Sequence, residues 1–150
     1  MDGKELQIGD YIEAFGVIRM VAGIFGGQDF LMLDTYIPSL GYRESTLSFR
    51  CQYANPITLT GDILLKSGFE VCAERIHYTE YRICLNEDTD EERWVFVELH
   101  KSDYMKLLYT HYKGHADSIE LVLNHCSVHQ LQHALRLCGL GDTVKIKMGN

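Results

Sequence analysis

No stretch of this chain has the length and apolar content of a membrane span. The first residues, "MDGKELQIGDYIEAFG", lack the basic segment and apolar core of a secretory signal. The expectation is a cytoplasmic protein with no membrane partner. The five cysteines, Cys51, Cys72, Cys84, Cys126 and Cys138, are odd in number, widely spaced and never in a Cys-x-x-Cys pair. That pattern fits reduced thiols better than a disulfide framework. Positive charge is also scarce: 14 Lys and Arg face 21 Asp and Glu, for a net charge of -7. Binding to nucleic acid rests on neutralising phosphates, so a general DNA or RNA coat is disfavoured.

Catalytic signatures are missing too. There is no phosphate loop, no Gly-x-Ser-x-Gly elbow and no His-Glu-x-x-His. "CGLGD", Cys138 to Asp142, places its glycines after a helix instead of a strand, so it is no dinucleotide fingerprint. No cofactor is expected, and an enzyme is the less favoured reading. Asn86, Asp88, Asp90 and Glu92 alternate like early calcium-loop ligands. The loop glycine and distant glutamate are absent, and a solvated hairpin tip explains them better.

What is present is ordinary globular material: 46% hydrophobic and 23% charged over 150 residues. A chain of that size buries about 70% of the surface it exposes when unfolded. Its pattern predicts an α+β fold, mostly antiparallel β, with a small bent N-terminal barrel or meander and two short helices. One domain is expected over 1–150, with the meander in 1–54 and the α+β portion in 55–150. "DYIEAF", "VIRMVA" and "DFLML" read as short strands stopped at Gly16, Gly23 and the Gly26 to Asp29 turn. In "STLSFRCQY", Leu47, Phe49, Cys51 and Tyr53 share one face of a half-buried strand. The segment between, "DTYIPSLGYRE", carries no clear pattern. Thr60 suits the N-cap of a helix with Asp62 in its first turn, Ile63, Leu64 and Leu65 buried, and Gly68 at its end. Strands follow in "EYRICL", "RWVFVEL", "DYMKLLYTHY" and "SIELVL", and "TVKIKM" predicts a last edge strand.

The sharpest local signal is "SVHQLQHALRLCGLG", Ser127 to Gly141. Ser127 and Gln130 have the spacing of a capping box, with Cys126 and Leu131 at the staple positions. Gly139 suits the left-handed C′ position, with Leu140 packing back on Leu135. Val128, Leu131, Ala134, Leu135 and Cys138 form the apolar face, beside a polar stripe of Gln132, His129, Arg136 and His133. His129, Gln132, Arg136 and Gln130 are the candidate ligand-binding residues, since Arg with His suits an anionic ligand. A metal held by His125, Cys126, His129 and His133 is the weaker reading, because no carboxylate completes the set. Trp94 and the tyrosines, with Arg19, Arg43 or Arg50, could stack a base, although strand aromatics usually pair across a core.

Three phrases in this order, "LQIGDYI" (Leu6 to Ile12), "PITLTGDILLKSGFE" (Pro56 to Glu70) and "VHQLQHAL" (Val128 to Leu135), resemble those of a group of small uncharacterised proteins encoded by gut bacteria, their phages and mobile elements. The resemblance implies a cytoplasmic accessory protein of phage origin, and it draws attention to His129, Gln130 and Gln132. The functional expectation is a non-enzymatic binding protein of anti-defence type. It would sequester a small anionic ligand, such as a nucleotide immune signal, or mask a host protein, and it could form a homo-oligomer. The alternatives are a small metal- or cysteine-dependent hydrolase, using His129 and His133 or one of the cysteines, and a DNA-associated regulator built on the N-terminal region. That region's net charge of -3, from four basic and seven acidic side chains in residues 1–50, counts against the regulator.

Overall fold

The computed structural model describes residues 1, 3–26, 30–86, 92–111 and 118–149. The chain is α+β, with a four-stranded and a five-stranded sheet, both antiparallel. It divides into two compact units, Met1–Ile57 and Thr58–Asn150.

The first unit is a meander, ordered β1-β2-β3-β4: β1 (Tyr11–Ala14), β2 (Val17–Gly26), β3 (Leu31–Tyr36) and β4 (Leu47–Arg50). It is an open sheet, with no closed barrel among the described residues. "LQIGD" is turn chemistry: the Asp10 carboxylate, fully buried, accepts the Gln7 N–H at 2.8 Å, and Gly9 takes φ 91°. Phe15 and Gly16 join β1 to β2, both at positive φ, which is the two-residue hairpin geometry whose twist matches the strands. Gly23 does not stop the second strand. It lies inside β2, where the register to β3 shifts between Val21 and Gly23, because a glycine within a strand accommodates a bulge. The expected turn residues 27–29 lie outside the described residues.

The unassigned segment contains a third helix, the single turn α1 (Tyr42–Ser45). Side-chain bonds hold it: Ser45 Oγ donates to the Gly41 carbonyl at 2.6 Å and accepts the Ile37 N–H at 2.8 Å. The strand expected over Ser45 to Tyr53 is shorter. After Arg50 the chain enters a 3-10 turn (Cys51–Tyr53), so Phe49 and Cys51 are buried while Leu47 and Tyr53 are exposed. Phe49 and Cys51 join Leu6, Ile12, Ala14, Val21, Leu33 and Ala54 in the core of this unit.

In the second unit, α2 (Gly61–Lys66) begins as expected, with Thr60 Oγ1 accepting the Ile63 N–H at 3.4 Å. Its end is a Schellman motif: Gly68 N–H bonds the Leu65 carbonyl at 3.1 Å and Phe69 N–H that of Leu64 at 3.0 Å. Leu64 is buried, whereas Leu65 points outward. Five strands follow in sheet order: β5 (Glu70–Glu74), β6 (Tyr78–Cys84), β7 (Arg93–His100), β8 (Tyr104–His111) and β9 (Ile119–Leu123). Residues 87–91 of the charged tip, with Asp88 and Asp90, lie outside the described residues.

α3 (Val128–Leu137) closes the regular structure. The segment after it is not a strand: Val144 and Ile146 are buried, but its backbone meets Ser67 Oγ through the Lys147 N–H at 2.9 Å instead of a strand ladder. The alternation in "TVKIKM" therefore records burial without sheet pairing.

Candidate functional site

Ser127 has the extended backbone of an N-cap, yet its buried hydroxyl receives no bond from the helix. The expected capping box is replaced. Gln130 Oε1 accepts the N–H of His125 at 3.2 Å. Asp103 Oδ1 accepts that of Cys126 at 3.0 Å, while Asp103 Oδ2 lies 3.1 Å from His125 Nδ1. Asp103 reaches these groups from the tip between β7 and β8, where it holds φ 57°, a conformation that Asp tolerates better than most residues. Its two donors hold the Asp103 carboxyl below the ordinary carboxylate value, the Cys126 N–H first and His125 second. The far end of α3 is the predicted Schellman motif, with Gly139 N–H on the Arg136 carbonyl at 2.9 Å and Leu140 N–H on that of Leu135 at 2.8 Å.

The polar stripe divides by burial. His129 is only 4% exposed and belongs to the interior, while Gln130, Gln132, His133 and Arg136 are half-buried. The His129 and His133 rings meet edge to face at 5.7 Å. His125 is turned to Asp103, and the Cys126 thiol donates to the Tyr104 carbonyl at 3.1 Å. Among the described residues no three His, Cys, Asp or Glu side chains gather where they could hold a metal ion. Burial, and then Asp103, push the Cys126 thiol up, and burial alone raises Cys138. Desolvation, followed by the Glu80 carboxylate, raises Cys72. Each shift favours the thiol over the nucleophilic thiolate.

A larger assembly of functional side chains lies on the five-stranded sheet. Alternation along β6, β7 and β8 separates two faces. The inner face carries Tyr81, Val95, Val97, Met105, Leu107 and Tyr109, all buried, and α2 lies on this side, with Gly61 against Tyr81 and Gly68 against Ile83. The outer face carries half-buried aromatic and charged residues in direct cross-strand register: Tyr78, His100 and Tyr104 in one row, Glu80, Glu98 and Lys106 in the next, Arg82, Phe96 and Leu108 in a third.

These side chains are already ordered by one another. The His100 ring lies between Tyr104 at 3.9 Å and Tyr78 at 4.7 Å, and its Nε2 meets Glu98 Oε2 at 2.8 Å. Arg82 pairs with Glu70 at 2.7 Å and lies over Trp94, 5.0 Å from the ring centre, while Trp94 and Phe96 stack at 6.2 Å. The arginine over Trp94 is Arg82, not one of the three weighed for base stacking. Arg50 instead covers Phe30 at 4.7 Å, and Arg19 donates to the Ser45 carbonyl at 3.1 Å. Four carboxylates on this outer face, Glu70, Glu80, Glu98 and Glu120, outnumber its two cations, Arg82 and Lys106.

The fold and this face define an α+β protein whose five-stranded sheet carries an aromatic and acidic outer face. Comparison with known protein families, curated proteins and solved structures found no match to the chain. No helix among the described residues is long and apolar enough to cross a membrane.

Proposed function

We propose that the protein is a non-enzymatic binding protein that masks a partner protein, docking the outer face of its five-stranded sheet on a basic surface of that partner. The observation that carries this reading is the row-by-row register of Tyr78, His100 and Tyr104 beside Arg82, Trp94 and Phe96 on a face where carboxylates predominate. Aromatic side chains held rigidly by their neighbours lose little freedom on docking, and Trp, Tyr and Arg dominate interface energetics. The carboxylates around them select a partner that presents Lys or Arg beside apolar groups. This is the masking role expected of a phage or mobile-element accessory protein acting against a host factor. Sequestration of a small anionic ligand on α3 has less support, because His129 is buried and Gln130 is engaged by the His125 N–H.

The test is capture from a bacterial lysate with the natural chain and with the double variant Trp94→Ala, Phe96→Ala. The expected result is one stoichiometric partner, weakened as salt screens the acidic face, and lost by at least about thirtyfold in affinity from the variant, since a central aromatic anchor contributes about 2 kcal/mol or more. A partner retained equally by both chains refutes the reading.

A further inference from the structure

The two edges of the five-stranded sheet are built differently. β5 has a register shift between Val71 and Ala73, a device that discourages pairing with another strand. β9, "IELVL", pairs with β8 without a shift, has no proline or lysine, and leaves Ile119 41% and Val122 59% exposed. No described strand lies beyond it. Among the described residues it is an edge strand with one carboxylate, Glu120, and an edge strand presents a row of backbone N–H and C=O groups on which a further strand can pair.

The sequence of that edge is self-complementary. Antiparallel pairing of β9 with the same strand of a second copy, about a two-fold axis at Leu121, places Ile119 opposite Leu123, Leu121 opposite itself and Glu120 opposite Val122. All five residues are used, no like charges stand directly opposed, and the apolar residues of the inner face stay on one side. Moving the axis to Glu120 opposes two carboxylates and shortens the ladder. Moving it to Val122 shortens the ladder by the same amount. We propose that β9 is the dimer contact of this protein: two copies join edge to edge through β9, in the Leu121-centred register, as an isologous pair with a continuous ten-stranded sheet. The occupant follows from the register and charge of the strand itself, and the proposal does not rest on the masking function.

Val122 supplies a charge-specific test. Within one chain it lies opposite Lys106, and in the dimer it also lies opposite Glu120 of the second copy. Val122→Glu is therefore tolerated in the monomer but sets two pairs of carboxylates against each other in the dimer. Val122→Lys meets a carboxylate across the interface instead. Light scattering coupled to gel filtration on the full chain is expected to give twice the 17.2 kDa chain mass for the natural protein and for Val122→Lys. Val122→Glu should show the single mass at the same concentration, a dissociation constant raised at least tenfold, and an unchanged circular dichroism spectrum. Hydrogen exchange on the natural chain is expected to show amide protection in β9 that rises with protein concentration. A natural chain that stays monomeric at about 100 μM overturns the proposal. So does equal behaviour of the two charge variants, or β9 protection that ignores concentration.

Discussion

Gly61 begins α2 with its Cα against the hydroxyl of Tyr81. A Cβ added there would lie 2.1 Å from Tyr81 Oη, more than 1 Å short of the 3.4 Å at which ordinary contact begins, and 3.0 Å from Cζ. Gly61→Ala gains roughly 0.5 to 1 kcal/mol of helix preference. Against that stands the displacement of a buried Tyr81, and overpacking of a filled core costs about 1 to 3 kcal/mol. The expected outcome is a net loss of about 1 to 2 kcal/mol, or a melting point lower by roughly 2 to 8 °C in a chain of this size. Urea unfolding followed by the fluorescence of Trp94, the sole tryptophan, reads the unit that contains the site. Tyr81→Phe removes the atom at 2.1 Å while keeping the ring, so the double variant should recover at least about 0.5 kcal/mol relative to the sum of the single changes. An alanine variant as stable as the natural chain, or strict additivity with Tyr81→Phe, would show that the contact is not what keeps this position a glycine.

Two further changes test the start of α3. Because the buried Ser127 hydroxyl makes no cap bond, Ser127→Ala should change stability by less than about 0.5 kcal/mol, well under the usual cost of about 1 kcal/mol for losing an N-cap; chemical unfolding decides it. The Asp103 carboxyl stays ionised to lower pH in the folded state, so its contribution is fully present above the ordinary value of 3.8 and is lost as pH falls through the lower folded value. Asp103→Asn keeps a residue that tolerates the left-handed backbone, and it should remove this acid-dependent loosening of His125 and Cys126 as read by amide exchange. Persistence of the same pH dependence in the variant would assign it to another group.

Much of the fold is legible because it is written in local chemistry. The Thr60 cap, the glycines at 68 and 139, and the alternating residues of β6 to β8 each depend on neighbours a few positions away. The phrases "LQIGDYI", "PITLTGDILLKSGFE" and "VHQLQHAL" fall on such features: the Asp10 turn, the Schellman end of α2 and the body of α3. The elements that escaped depend on contacts the pattern does not encode. α1 exists through Ser45 bonds, and β5 has a bulge that breaks alternation. The burial of the "TVKIKM" segment resembles a strand without the ladder. The α3 stripe was readable as a set, but helix periodicity could not separate the buried His129 from its half-buried neighbours. The outer sheet face was readable only in fragments, since the rows joining Tyr78 to His100 and Tyr104, and Arg82 to Phe96, are made by strand register.

The strict alternation of β6, β7 and β8 also bears on how such a protein changes over generations. The residues that fill its interior and those that face outward occupy interleaved positions, with side chains on opposite faces of the sheet. Phe96, Leu108 and Glu80 lie on the outer parity, where an exchange alters the shape and charge of that face, while Val95, Val97 and Leu107 are buried on the other. Were the outer face the docking surface proposed above, its specificity would vary along one parity of the strands while the other parity kept the fold. The stacked trio of Tyr78, His100 and Tyr104 is where the two demands meet, and substitutions there should be the rarest on that face.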